Sequence, residues 1–177
     1  MTSPTYHAVD DLIDRIVGIS AGSDLHATRH QREKVAAATQ GSYDTLFDPA
    51  LADVSLTDRL LVALYACVLT PAPELADHYR TQLAAVQADP ALIAAVENDA
   101  PDSVPAAPLQ AVLRFTRTLI LDPVKGDREA LQTLPAAGIS TSAIVVIAQL
   151  IAFLSYQVRL VASLKAMKAV QTSERAA

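Results

Sequence analysis

The longest apolar stretch of this sequence runs from Ile144 to Leu154, and the helix predicted around it is apolar on nearly all sides as far as Val161. Gln149 and Arg159 are among its few polar residues. A helix without a polar face has to be covered on more than one side. We therefore expect a helix from Thr141 to about Met167 that lies at the centre of a helical bundle or in a contact between subunits.

The composition favours a protein built only of helices. Hydrophobic residues make up 51% of the 177 residues, but aromatic residues make up only 5% and tryptophan is absent. Alanine, leucine and valine supply the apolar mass and suit close helix-on-helix packing, whereas five glycines are too few for many tight hairpins. We predict an all-α bundle of about seven to eight helices that forms a single domain over residues 1–177.

Turn and capping residues divide the chain into these helices. An amphipathic pattern covers Asp10 to Ile19, and a longer one covers Asp24 to Phe47 with an expected interruption at Gly41-Ser42. The apolar run Leu60 to Leu69 follows a capping signal at Ser55. The segment 99–108 contains three prolines, and we expect it to join two halves of one domain because it is short.

Charge and cysteine content exclude several classes of protein. The net charge of −5 argues against nucleic-acid binding, which needs a basic face. No basic start precedes an apolar run, so no signal peptide is expected, and the run from Ile144 to Leu154 is too short to span a membrane. A single cysteine excludes an internal disulfide. These features together predict a cytoplasmic location.

Several segments carry a resemblance to a known family. They are Ser55 to Leu69 followed by Thr70-Pro71-Ala72-Pro73-Glu74-Leu75, then Phe115 to Pro123, Ala136 to Ser140, and Ile147 to Arg159. Together they resemble the carboxymuconolactone decarboxylase (CMD)/AhpD-like superfamily, in particular its peroxidase-related and alkylhydroperoxidase-related branch. The resemblance implies an AhpD-like helical bundle with its core at 43–167 and an N-terminal helical extension at 1–42. It also implies a homo-oligomer, because members form dimers, trimers and hexamers.

The chain departs from this family at its redox motif. In redox members the helix opens with Cys-x-x-Cys followed by a histidine, but the two cysteine positions fall on Ala72 and Leu75 here. The histidine position falls on Tyr79, with His78 one place earlier. Reduction of peroxide by a cysteine pair needs a thiolate of low pKa and a second thiol close by. Because neither position carries a cysteine, we predict little or no thiol peroxidase turnover.

The first helix of the motif departs as well. The glutamate that relays protons in redox members corresponds to Leu60, and Asp58-Arg59 precedes it. Arg59 and the apolar pattern match the family outright. Asp58, Arg59 and Tyr79 are accordingly candidate pocket or structural polar residues.

Three functions remain open. The first is a binding, structural or partner subunit without redox chemistry, which we favour. The second is a non-redox decarboxylase or isomerase that uses Glu74 and His78, spaced i,i+4 on one helix face, as an acid/base pair on a small organic acid. The third is a one-cysteine antioxidant that uses Cys67, although a cysteine in an apolar helix usually acts as a small hydrophobic residue.

The remaining candidates concern ligands. Arg159 and Gln149 lie in a helix that is otherwise almost free of polar groups, so we expect Arg159 to be buried and paired with an acid or with backbone carbonyls. It is a candidate tie between helices or subunits, which Tyr156 and Gln157 would join, or a candidate anion contact. Glu74 and His78 supply only two metal ligands and would need a third from elsewhere. We therefore predict no metal and no cofactor, and a small molecule is the expected ligand class.

Overall fold

The computed structural model describes residues 11–176, with side chains described as far as residue 173. Within this range the chain forms nine α-helices and no strand, and eight of the helices have seven or more residues. The helices are α1 Leu12–Val17, α2 Asp24–His30, α3 Glu33–Leu46, α4 Leu56–Leu69, α5 Pro73–Ala85, α6 Pro90–Glu97, α7 Ala107–Leu121, α8 Arg128–Ala136 and α9 Thr141–Ala176. The prediction of an all-α bundle of seven to eight helices is confirmed.

The helices belong to two compact units. One unit contains the described residues up to Thr45 together with those from Arg159 onward, and the other contains Leu46–Val158. The described residues up to Thr45 thus share a unit with the end of α9, a grouping that the sequence did not predict.

The predicted break at Gly41-Ser42 is wrong. Gly41 lies inside α3, and the chain breaks instead between α2 and α3 at Gln31-Arg32. The Ser42 hydroxyl donates to the carbonyl of Ala38 at 2.8 Å, so it is satisfied within the helix. One glycine in a helix costs roughly 1 kcal/mol, which the rest of a 14-residue helix offsets.

Helix α4 is the centre of the Leu46–Val158 unit. Every residue from Arg59 to Cys67 is buried, and the helix packs against α5, α6 and α7. The Ser55 hydroxyl accepts from the backbone N–H of Asp58 at 3.0 Å and caps the helix. A helix buried on all sides holds its neighbours in register, so α4 fixes the positions of both α5 and α7.

The proline-rich segment between α6 and α7 is tied to this core. Asp99 has a positive φ of 50° and accepts a hydrogen bond from the Tyr65 hydroxyl. The Arg117 guanidinium holds the same carboxylate through Nε and Nη2, with distances between 3.0 and 3.2 Å. Hydrogen bonds from Arg117 and Tyr65 lower the pKa of Asp99. The segment is an ordered connection within one unit.

The most buried charge in this unit belongs to Arg59. The side chain is fully buried, and it donates to backbone carbonyls of the segment before α4. Nε donates to Val54 at 3.0 Å, Nη2 donates to Asp48 at 3.0 Å, and Nη1 donates to Leu46. Burial lowers the pKa of Arg59, and the Asp48 charge opposes this effect. The guanidinium thus satisfies carbonyls that would otherwise be left without donors.

Helix α9 is covered on one face only. In its first half Ile147, Leu150, Ile151 and Leu154 are buried, whereas Val145 is 51% exposed and Tyr156 is 42% exposed. Within the described residues, Thr141–Ser173 is the one helix long and apolar enough to cross a membrane, although core helices of soluble proteins pass the same test. The predicted burial at a bundle centre therefore holds for one side of the helix. The sequence argument from the short run Ile144 to Leu154 does not apply to the whole helix.

Replacement of Arg59 by methionine should lower the free energy of unfolding by about 3 kcal/mol or more, because several buried carbonyls lose their donors. Urea denaturation measures this change. The control is Arg114→Met, which removes an exposed arginine whose Nε lies 2.6 Å from Asp102 and should cost less than about 1 kcal/mol. Equal losses in the two variants would contradict the structural role of Arg59.

Candidate functional site

The turn between α4 and α5 brings together the positions that the family resemblance singles out. The backbone N–H of Ala72 donates to the carbonyl of Cys67 at 3.1 Å, and Pro73 begins α5 where a missing N–H costs nothing. Ala72 is 8% exposed and Leu75 is fully buried. The two positions that correspond to the redox cysteines therefore lie in the apolar core.

Cys67 lies in the last turn of α4 and is 2% exposed. Burial alone raises the pKa of the Cys67 thiol to about 12. A reactive cysteine needs the opposite environment, with a nearby positive charge or a helix N-terminus that stabilises the thiolate. Cys67 is therefore protonated at neutral pH and shielded from solvent.

Glu74 and His78 lie four residues apart on α5, and both are half-buried. The His78 ring meets the ring of Tyr79 edge-on, with 5.2 Å between ring centroids. Partial exposure keeps both groups within reach of solvent and of a small solute. Their spacing of four residues places the two side chains on one face of α5.

Tyr79 occupies the position of the family histidine and is fully buried. Its hydroxyl donates to Oε1 of Gln157 on α9 at 2.5 Å, and its ring packs on Phe47 with a centroid distance of 5.3 Å. Gln157 is also fully buried, and its Nε2 has no hydrogen-bond partner among the described residues. This polar contact ties α5 to α9 inside an apolar core. The sequence analysis identified Tyr79 as a candidate pocket or structural residue, but it named Gln157 only as a neighbour of Arg159.

Asp58 lies beside a small cavity rather than in the core. The cavity has a volume of about 250 Å³, and its polar wall is formed by Asp53, Asp58 and Ser140. Leu109, Val112 and Ile147 are among its apolar lining residues. Arg59, next in sequence, is committed to backbone carbonyls and is a structural residue.

The predicted burial of Arg159 is wrong. Arg159 is exposed, as is Gln149, so neither is an interior charge or amide that must be paired within the chain. The buried polar residue of this part of α9 is Gln157, two positions before Arg159. An apolar run gives no indication of which side of a helix faces the core when both sides are apolar.

Sequence reasoning missed a second group of candidate site residues. Asp14, His26 and His30 bring one carboxylate and two imidazoles together in the unit that contains α1 to α3. The spacing of His26 and His30, four residues apart, was visible in the sequence. The third member comes from another helix, and no local pattern indicates it.

No protein-family model and no curated protein matches this chain. The helical architecture and the site geometry are therefore the observations on which a function has to rest.

The raised pKa of Cys67 predicts a pH effect on stability. In the unfolded chain the thiol ionises near its ordinary pKa of about 8.5, whereas in the folded protein it keeps its proton to about 12. Stability from this group is complete below pH ~8.5 and is lost as the pH rises, by at most about 1.4 kcal/mol per pH unit. Urea denaturation between pH 7 and 10 should show a smaller loss for Cys67→Ala than for the wild type. An identical pH dependence in the two proteins would contradict this assignment.

Proposed function

We propose that this protein is a redox-inactive member of the CMD/AhpD-like superfamily that acts as a binding or partner subunit. The observation that carries the proposal is the environment of Cys67, the one thiol in the chain, which is buried and protonated. The all-α architecture, with α4 and α5 joined at Pro73, is compatible with the family. The chain departs from the family at the turn between α4 and α5, where Ala72 and Leu75 stand in place of the two redox cysteines.

The energetic barrier to thiol chemistry is large. A pKa of about 12 instead of the ordinary value of about 8.5 lowers the thiolate fraction at neutral pH by more than a thousandfold. Any sulfenate formed would also need an external thiol, because the chain contains no second cysteine. Both requirements of the cysteine-pair mechanism are therefore unmet.

The cavity beside Asp58 supports a binding role. It combines an apolar floor with two carboxylates and a hydroxyl, and such a mixture is typical of sites for small molecules. Asp53 and Asp58 favour a ligand that carries a cationic or hydrogen-bond donor group. A small organic acid would be repelled by the same two carboxylates.

The second candidate is an acid/base enzyme that uses Glu74 and His78. The half-buried positions of both residues on one face of α5 favour it. A carboxylate can orient an imidazole and stabilise its charged form while the imidazole transfers a proton. This candidate needs no thiol, so it is compatible with an inert Cys67.

We expect the protein to consume hydrogen peroxide no faster than a reagent blank when a dithiol reductant is present. Cys67→Ala should behave like the wild type. Rapid turnover that Cys67→Ala abolishes would refute the proposal and establish a one-cysteine peroxidase. Turnover that survives in Cys67→Ala but is lost in His78→Ala would favour the acid/base candidate.

We also propose that the exposed face of α9 binds a second copy of this chain. Val145, Ala148, Ala152 and Tyr156 recur every three or four residues on this face, as positions in a helix–helix seam do. Small alanines allow two helices to approach closely, and Val145 and Tyr156 supply apolar area at the ends. The family resemblance also implies an oligomer.

At micromolar concentration the wild type should sediment as an oligomer, and Ala152→Glu should shift it toward a monomer because two charges would be buried at the seam. Leu131→Glu is the matched control, since it places the same charge at a 42% exposed leucine on α8. A monomeric wild type, or equal behaviour of both variants, would refute the seam. Cosedimentation of the wild type with phosphatidylcholine vesicles would instead assign this face to lipid.

A further inference from the structure

Helices α1 and α2 bring three metal-ligating side chains to one place. His26 and His30 lie four residues apart on α2, and Asp14 lies on α1. One ligand atom from each residue lies within 4.8 Å of the other two. All three side chains are partly shielded, with exposed fractions of 20% for His26, 11% for His30 and 8% for Asp14.

Both imidazoles point at the same carboxylate oxygen. Nε2 of His30 lies 2.7 Å from Oδ2 of Asp14, and Nε2 of His26 lies 3.9 Å from the same atom. The rings stack with centroids 4.3 Å apart. A hydrogen bond accounts for the approach of His30, but 3.9 Å is too long for one, so hydrogen bonding leaves the direction of the His26 nitrogen unexplained.

Arg29 holds the other side of the carboxylate. Its Nη1 donates to Oδ1 of Asp14 at 2.9 Å, and its Nη2 donates to Asp11 at 3.0 Å. The Asp11 carboxylate also accepts from the backbone N–H of Asp14 at 3.0 Å. Asp14 is thus fixed in orientation, with Oδ2 directed to the imidazoles. Two carboxylates against one guanidinium leave the surroundings with a net negative charge.

The surroundings of the His30 nitrogen conflict with simple hydrogen bonding. Nε2 of His30 lies 3.0 Å from Nη1 of Arg29 as well as 2.7 Å from the Asp14 oxygen. The carboxylate requires a proton on Nε2, whereas the guanidinium requires its lone pair. A cation bound to that lone pair and to Oδ2 would attract both atoms, and Arg29 would keep its bond to Oδ1.

We propose that Asp14, His26 and His30 bind a divalent first-row transition metal, with Zn²⁺ as the preferred ion. Imidazole nitrogens suit zinc, whereas magnesium and calcium prefer sites built from oxygen. Ligands at about 2.0–2.2 Å in a tetrahedron lie roughly 3.3–3.5 Å apart. The separations of 2.7 and 3.9 Å from the Asp14 oxygen fall on either side of that range, and all three ligand atoms lie within 4.8 Å of one another. Side-chain shifts on the order of 1 Å would bring the three to the spacing of zinc ligands.

Isothermal titration of the full chain with Zn²⁺ tests the proposal. We expect one equivalent per chain, and a visible absorption band of tetrahedral Co²⁺ when cobalt replaces zinc. His26→Ala should weaken binding by roughly tenfold or more. This variant is the sharpest one, because the long contact of His26 with Asp14 makes it the member least needed for the metal-free fold. His30→Gln should have the same effect on binding.

The matched control is His78→Ala, which removes a histidine from the other compact unit and should bind zinc like the wild type. Zinc should raise the thermal midpoint of the wild type and of His78→Ala but not that of His26→Ala. Circular dichroism of the metal-free proteins verifies that His26→Ala is folded. Absence of stoichiometric binding, or binding that is unchanged in both His26→Ala and His30→Gln, would refute the site.

Discussion

The Leu46–Val158 unit depends on the buried guanidinium of Arg59. The chain between α3 and α4 has no regular structure to satisfy its carbonyls. Arg59 supplies donors to the carbonyls of Asp48 and Val54 there, and to that of Leu46, the last residue of α3. Because α4 is buried from Arg59 to Cys67, the entry of the chain into this helix determines where α5 begins. Arg59 therefore positions the start of α4, and through this helix it influences where the turn at Pro73 lies.

The turn between α4 and α5 has the helical scaffold of a site but lacks the side chains for redox chemistry. A redox site at this place would need sulfur and a polar relay, but here Ala72, Leu75 and Leu60 fill the space with apolar atoms. The polar contact that remains, between Tyr79 and Gln157, joins two helices in the core.

Local signals in the sequence predicted most of the helices, and tertiary packing determined the rest. Ser55 and Pro73 act within one turn of the chain, so the starts of α4 and α5 could be read from them. The exposed face of α9 could not be predicted, because an apolar stretch has no periodicity that distinguishes buried from exposed positions. Asp14 meets the two histidines through side-chain contacts between α1 and α2, and no spacing along the chain encodes that meeting.

The burial of Cys67 makes it a reporter of motion within the core. A thiol reagent can reach the sulfur only when α4 and its neighbours separate, so the rate of labelling measures the population of open states. Since the chain has no other cysteine, the signal comes from this one position. The rate at which a thiol reagent labels the wild-type protein would thus report the opening equilibrium of α4, and no engineered probe is needed.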